Sequence, residues 1–278
     1  MSDNLDRRTV ADFGREWQAF DYADADQDDL QAGFDAYFQD FPWDRLSSHA
    51  VGFDLGCGSG RWARLLAGRV ATLLCFDASP AALAVAGRNL AAMKTTALAA
   101  ASAGRLPLAD RSMDFGVSLG VLHHVPDTAA AIADCARVLK PGAPLLLYLY
   151  YRFDNRPVWF RALWRASDLM RRAIAGLPFR LKQSLCAALA VLVYWPLARL
   201  AALGERCGAT VDGWPLSAYR RRPFYIMRTD ALDRFGTRLE QRFTRVEIRV
   251  MLQAAGLHDP VFGRQAPYWC VVSYKGEG

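Results

Sequence analysis

The sequence predicts an α/β fold: seven strands alternating with helices, with a helical insertion after the fifth strand. Three observations predict it. From residue 51 onward, apolar runs of strand length alternate regularly with helical stretches. Within that pattern Val51-Gly52-Phe53-Asp54-Leu55 runs straight into Gly56-Cys57-Gly58-Ser59-Gly60, a strand entering a glycine turn and then a helix. A second strand then ends on Asp77. At 278 residues and 53% hydrophobic, the chain can bury a large core, and one α/β domain with an elaboration fits better than two independent domains.

Residues 1–50 hold the stretch FGREW at 13–17 and an aromatic, helical segment with Phe34, Tyr37 and Phe38. Strands follow near 51–55, 71–76, 96–101, 115–119 and 144–150. Ser79-Pro80, a capping residue followed by proline in the first turn, starts the helix after the second strand, and Asp127 starts the one after the fourth. Thr244-Arg245-Val246-Glu247 is a capping box whose helix closes at Gly256, and two short strands follow near 258–262 and 268–274.

Residues 151–240 interrupt this plan with Trp159, Trp164, Trp195, Trp214 and an uncharged run over 183–198 that contains Pro196. That run falls short of the roughly 20 residues needed to cross a bilayer, so no spanning helix is expected. Two readings of the insertion stand: a helical subdomain packed on the sheet or on a second subunit, or an apolar, Arg- and Trp-flanked surface for a membrane interface or lipid-like substrate.

Charge is uneven: residues 1–50 carry 12 acids and 4 bases, whereas 151–240 carry 7 acids and 16 bases, within a net charge of +6. The basic stretch suits an anionic substrate, an anionic lipid surface or nucleic acid, or pairing with the acidic N-terminal segment. Six cysteines without a C-x-x-C pair fit reduced thiols of a cytoplasmic protein, and no basic-then-apolar leader is present to predict secretion.

The glycine turn implies a ligand. Glycines at every second position let the backbone take positive φ and bring its N–H groups against a ligand, and an acid ending the next strand can accept both hydroxyls of a ribose. A dinucleotide loop reads G-x-G-x-x-G and holds a pyrophosphate; here D-x-G-x-G-x-G leads with a carboxylate, which suits a cationic or zwitterionic adenosine ligand. This segment resembles motif I of the class I S-adenosylmethionine-dependent methyltransferases. Gly104-Arg105-Leu106-Pro107-Leu108, Ser112 to Pro126-Asp127 with its Leu122-His123-His124-Val125, and Ala136 to Lys140-Pro141-Gly142 are similar to that family's later motifs, in order.

The resemblance covers 51–150 closely and 241–275 loosely. It implies a seven-stranded, mostly parallel Rossmann-like methyltransferase sheet with a final antiparallel hairpin strand, with 1–50 as a lid, 51–150 and 241–278 as the S-adenosylmethionine-binding core, and 151–240 as an insertion for substrate recognition or for an oligomer or membrane surface. It assigns Asp54, Gly56, Gly58 and Gly60 to the methionine part of the cofactor, Asp77 to the ribose with Ala78 beside it, and the Leu119 backbone to the methionine amine. Ser102 stands where the family often has an adenine-binding Asp, so the Ser102 hydroxyl and the Ala103 N–H are the adenine candidates.

The reaction so implied is methyl transfer to a small-molecule acceptor at oxygen, which needs alignment, exclusion of water and removal of a proton. His123 and His124 are the acid/base candidates, with His123 preferred; a role in shaping the loop is the competing reading. Tyr150, Tyr151, Arg152 and Asp233 are the substrate candidates, at strand ends or loops. No metal is expected, because Gly120 and His123 stand where metal-binding quinone-pathway relatives carry acids. Nor is nucleic acid, since Gly120-Val121-Leu122-His123 replaces the N/D-P-P-Y/F tetrapeptide of base methyltransferases. Open alternatives are a lipid-like, quinone or glycan acceptor at a membrane surface touched by 151–240, an oligomer, or a silent cofactor-binding protein.

Overall fold

The structure is a computed structural model that describes residues 4–22, 26–154, 156–264 and 269–277. The chain divides into two compact units, residues 1–155 with 239–278, and residues 156–238. The first contains α1 (Arg7–Ala19), α2 (Gln27–Phe38), β1 (Val51–Leu55), α3 (Arg61–Leu66), β2 (Thr72–Asp77), α4 (Pro80–Asn89), β3 (Thr96–Ala100), β4 (Phe115–Leu119), α5 (Thr128–Val138) and β5 (Pro144–Tyr148). The second contains α6 (Val158–Ala175), α7 (Phe179–Leu189), α8 (Trp195–Arg206) and α9 (Phe224–Gly236). The chain then returns to the first unit with α10 (Arg245–Ala254), β6 (Leu257–Phe262) and β7 (Cys270–Lys275).

The seven strands form one sheet in the order β3-β2-β1-β4-β5-β7-β6, parallel except that β7 runs antiparallel to both β5 and β6. This is the predicted α/β sheet with its closing hairpin; of the expected last strand, Tyr268 lies outside the described residues. Alternation assigns the faces. Phe53, Leu55, Leu145 and Leu147 pack with Ile132 and Val138 of α5 and Ile248 and Leu252 of α10. Phe115, Val117 and Leu146 pack with Phe34, Phe38, Ala63 and Leu90 from α2, α3 and α4. The caps lie where the sequence places them: Ser79 and Asp127 accept from Ala82 and Ala130 N–H groups, and Thr244 and Glu247 close a reciprocal capping box.

The unit boundaries fall at 156 and 238 rather than at 151 and 240, because the intervening residues hydrogen-bond into the sheet unit. The Phe243 N–H donates to the Tyr150 carbonyl at 2.9 Å, the Arg152 N–H to the Phe243 carbonyl at 3.0 Å, and the Gln241 N–H to the His123 carbonyl at 2.9 Å. Residues 1–50 belong to the sheet unit as well.

Within the second unit the expectation of no membrane-length helix is corrected. α7 and α8 join through one π-turn over Ala190–Tyr194 into a helix of 28 residues, Phe179–Arg206, long and apolar enough to cross a membrane by length and composition. Pro196 does not break it. Proline sits in the first turn of α8, directly after the π-turn, where a wider turn absorbs the lost backbone donor and the ring's bulk.

Candidate active site

The parallel strands bring the C-terminal ends of β1 to β5 to one edge of the sheet, and the strand order reverses between β1 and β4, where ligand crevices open in such sheets. All nine cofactor candidates lie on or just beyond these ends. Asp54 is on β1, Gly56, Gly58 and Gly60 in the turn after it, Asp77 and Ala78 at the end of β2, Ser102 and Ala103 past β3, and Leu119 closing β4 opposite Tyr148 of β5. The three glycines have φ of +81°, +55° and +78°, and a Cβ on Gly56 would lie 2.2 Å from Val121, so both backbone and packing require glycine there.

One expectation about this turn is corrected. Its N–H groups are used inside the protein: Gly56 and Cys57 donate to the Phe76 carbonyl at 2.7 and 3.0 Å, Gly58 to Asp77 Oδ2 at 2.9 Å, and Gly60 to the Cys57 carbonyl at 2.8 Å. Gly56, Cys57 and Gly58 lock the turn onto β2 and Gly60 closes the turn on itself, so these four donors do not face a ligand. Phosphate recognition needs free donors of this kind, so the turn is not built to hold a pyrophosphate.

Two carboxylates face this edge, Asp54 buried and Asp77 half-buried. Burial, then the charge of neighbouring Asp77, pushes Asp54 up to about 7. Burial also raises Asp77, against the N–H groups of Ser79, Gly58 and Ala78 that pull it down. The Ser79 N–H reaches Asp77 Oδ1 at 2.8 Å and the Gly58 N–H reaches Oδ2 at 2.9 Å, so both oxygens are anchored by backbone donors while a carboxylate can still accept from a hydroxyl. The donor set fits a ligand with cationic groups and a vicinal diol, and repels a phosphate. Ala103 is buried in the core, while the Ser102 carbonyl accepts from the Arg105 N–H at 3.3 Å in a short turn.

The two histidines differ in tautomer. His123 is fully buried, and its Nδ1 accepts from the Tyr150 N–H at 3.4 Å, which places the ring proton on Nε2, an atom with no partner among the described residues. Burial, then the nearby His124 and Arg242, holds its pKa well below the usual imidazole value, so it is neutral and a poor proton acceptor. Its ring stacks on Tyr150 at 3.8 Å. His124 Nδ1 lies 2.7 Å from the Leu239 carbonyl, which can only accept, so the proton sits on Nδ1 and Nε2 is the accepting nitrogen. The unprotonated nitrogen is therefore Nδ1 in His123 and Nε2 in His124, and both rings are buried.

Of the substrate candidates, Tyr150 lies beside both histidines and Tyr148, with the Arg242 guanidinium 4.8 Å from its ring centre. The others lie elsewhere. Tyr151 turns to the opposite face and packs on Trp269 at 5.6 Å, as strand alternation requires. Arg152 pairs with Glu247 at 2.9 Å and donates twice to the Arg242 carbonyl, stapling β5 to the capping box. Asp233 belongs to the second unit, where its carboxylate meets the Thr237 hydroxyl at 3.5 Å.

The sequence reading makes 1–50 a lid but assigns it no contacts. The Asn4 side chain exchanges two hydrogen bonds of 2.8 Å with the Asp127 backbone, Phe13 packs on His124 at 5.0 Å, and Trp17 lies against Gly58, where a Cβ would meet its ring at 2.8 Å. Tyr37 of α2 adds an edge-on contact to Tyr148 at 5.1 Å. The stretch FGREW carries Phe13 and Trp17, but nothing local says which partners they meet. The buried Arg242–Glu240 pair at 2.8 Å carried no sequence signal.

A family model described as "Methyltransferase domain" matches residues 53–147, the span holding the glycine turn, both carboxylates and the histidines. Residues 53–147 are thus similar to the methyltransferase domain of class I S-adenosylmethionine-dependent enzymes. In this methyltransferase family S-adenosylmethionine is the methyl donor. Among relatives, the chain is 37% identical over 99 residues to a ubiquinone biosynthesis O-methyltransferase of Hahella chejuensis, covering 33% of this chain and 40% of that protein. It is 32% identical over 122 residues to a probable tRNA methyltransferase 9B of Mus musculus, covering 40% and 26%. A malonyl-[acyl-carrier protein] O-methyltransferase of Serratia marcescens matches at 27% over 188 residues, 67% of this chain and 69% of that one. The chain thus spans under half the length of the first two. A solved S-adenosylmethionine-dependent methyltransferase from Thermotoga maritima shares the fold with a TM-score of 0.52 at 14% identity, covering 97% of this chain and all of that one, and one from Methanosarcina mazei does so at 0.50 and 18%, covering 84% and 95%.

Proposed function

We propose that this methyltransferase moves the methyl group of S-adenosylmethionine to an oxygen of a small-molecule acceptor. The observation that carries the reading is the carboxylate pair, buried Asp54 and half-buried Asp77, beside a glycine turn whose Gly56, Cys57, Gly58 and Gly60 donors are already used. Such a site attracts the ammonium and sulfonium of the donor and accepts its ribose hydroxyls. When bound, the donor supplies an electrophilic methyl carbon on a positively charged sulfur. Asp54 would hold the methionine end, Asp77 the ribose, and Ala78, Ser102, Ala103 and Leu119 the flanking atoms.

The remaining work falls to the chain. His124 Nε2 takes the proton of an acceptor hydroxyl, its ring held by the Leu239 carbonyl, as a general base needs. His123, neutral and stacked on Tyr150, positions that tyrosine and His124 and shields them from water. Phe13, Tyr37, Tyr148 and Tyr150 favour a flat or apolar acceptor, which includes quinol-like molecules such as those implied by the name of the Hahella relative.

Titration calorimetry tests the cofactor assignment. The wild-type chain should bind S-adenosylhomocysteine and not NAD. Asp77→Ala should weaken that binding by roughly tenfold or more, since each charge-assisted hydrogen bond is worth about 1.5–3 kcal/mol before water replaces it. Equal affinity of the variant would show Asp77 to be misassigned. Transfer of one labelled methyl to hydroxylated aromatic acceptors, followed by mass spectrometry, tests the reaction itself.

A further inference from the structure

We infer that the helical unit 156–238 docks on an anionic lipid bilayer, lying in the plane of its interface on the outward faces of α6 and of the long helix Phe179–Arg206. The argument starts from an inverted burial pattern. A helix of a water-soluble unit buries its large apolar side chains and exposes its polar ones. On α6 the buried stripe instead carries an ion pair, Asp168 with Arg171 at 2.7 Å, and Arg171 also donates to the Thr237 carbonyl at 2.8 Å. Its outward stripe carries Val158, Trp159, Leu163, Leu169 and Met170, with Trp159 55% and Leu169 71% exposed.

The long helix repeats the inversion. Its inner face is seated within the unit through Lys182, Cys186, Ala190, Tyr194 and Ala198; Lys182, only 2% exposed, donates to the Gly236 carbonyl at 3.0 Å. Its outer face presents Leu181, Leu185, Leu192, Trp195, Leu200 and Leu203, with Leu192 73% exposed. The bulky apolar residues are outside and the lysine is inside, which costs free energy in water and gains it against hydrocarbon.

Charge selects the partner. Residues 156–238 hold 15 bases against 5 acids. On these helices Arg161, Arg165, Arg172, Arg180, Arg199 and Arg206 are exposed, whereas Asp168 is buried in ion pairs and Glu205 pairs with Arg220 and Arg221. Arginines bordering an apolar, tryptophan-bearing face match the headgroup and acyl layers of an anionic membrane. The inner face is already occupied by the unit's own packing, so the long helix has one face to give to lipid, which is the interfacial arrangement and not the spanning one.

Sedimentation with vesicles tests this on the full chain. Vesicles of equal parts phosphatidylcholine and phosphatidylglycerol should carry the protein down with a blue shift of tryptophan emission. Phosphatidylcholine alone should bind it roughly tenfold less or weaker, and added salt should release it. Two exposed-site variants, Leu192→Glu with Leu203→Glu and Arg161→Glu with Arg165→Glu, should each weaken binding by about tenfold or more with helicity and melting temperature unchanged. Alkaline carbonate should strip the protein from the vesicles. Equal binding to both lipids, full binding by either variant, or retention after carbonate would overturn the inference. So would a stable dimer in solution that shields Trp159 and Trp195 and ignores vesicles, since a second copy would then cover the face. The readout is partition rather than turnover, so failure here leaves the methyl-transfer reading intact.

Discussion

The two adjacent histidines show how single hydrogen bonds set chemical roles. An acceptor contact at His123 Nδ1 and a donor contact at His124 Nδ1 put the ring protons on opposite nitrogens, so the neighbours are not interchangeable. If His124 removes the proton, His124→Ala should lower turnover by roughly 10² or more while leaving S-adenosylhomocysteine affinity unchanged. The loss should shrink at high pH for acceptors acidic enough to ionise unaided. His123→Phe keeps the stack on Tyr150 but deletes the Nδ1 contact, and should retain most of the activity. Steady-state kinetics on both variants, with calorimetry as the binding control, decides the assignment; the opposite ranking would restore His123 as the base.

At the scale of elements, α1 packs on α4 beside the crevice, and one glycine sets how closely it lies. A Cβ on Gly14 would fall 2.3 Å from Ser79 Oγ and 3.1 Å from Ala81 Cβ, against the first turn of α4. Replacing a helical glycine by alanine normally gains about 1 kcal/mol in propensity, while forcing a methyl into a packed contact costs about 1–3 kcal/mol, so the steric effect wins. Gly14→Ala should therefore lift α1, lower the melting temperature and weaken S-adenosylhomocysteine binding, whereas Gln18→Ala on the outward side should do neither. Scanning calorimetry and titration of both variants check this. What was legible in the sequence follows the same divide between local and tertiary causes. The caps at Ser79 and Asp127 and the box at Thr244–Glu247 were readable because each is satisfied within a few residues of itself, and the β1 turn because its glycine spacing is local, although its N–H groups reach Phe76 and Asp77. The destinations of Trp17 and Arg152 were not, because their partners, Gly58 and Glu247, lie far along the chain. Pro196 misled for a related reason: its cost is absorbed by a π-turn that no residue type announces.

For the molecule as a whole, the carboxylate pair makes stability and ligand binding depend on pH in linked ways. In the unfolded chain Asp54 titrates near 3.8, whereas folding raises it to about 7. Between those values the folded protein holds a proton that the unfolded chain has released, so stability falls as pH rises through this window and is lower above it by about 4 kcal/mol from this group. Asp77, also raised, acts in the same direction. A ligand bringing an ammonium to Asp54 reverses the preference, because the ionised carboxylate then has a partner. Binding below pH 7 must expel the proton first, so the affinity for S-adenosylhomocysteine should rise by up to about tenfold per pH unit toward 7 and level off above it. The thermal shift it produces should therefore be small at pH 5 and large at pH 8. Asp54→Asn should melt higher than wild type at pH 8 without ligand, match it near pH 4, and bind weakly at every pH. Calorimetry across this range in two buffers of different ionisation enthalpy would count the released proton directly. A wild-type affinity flat from pH 5 to 8 would mean that Asp54 is not where the cationic end of the ligand sits.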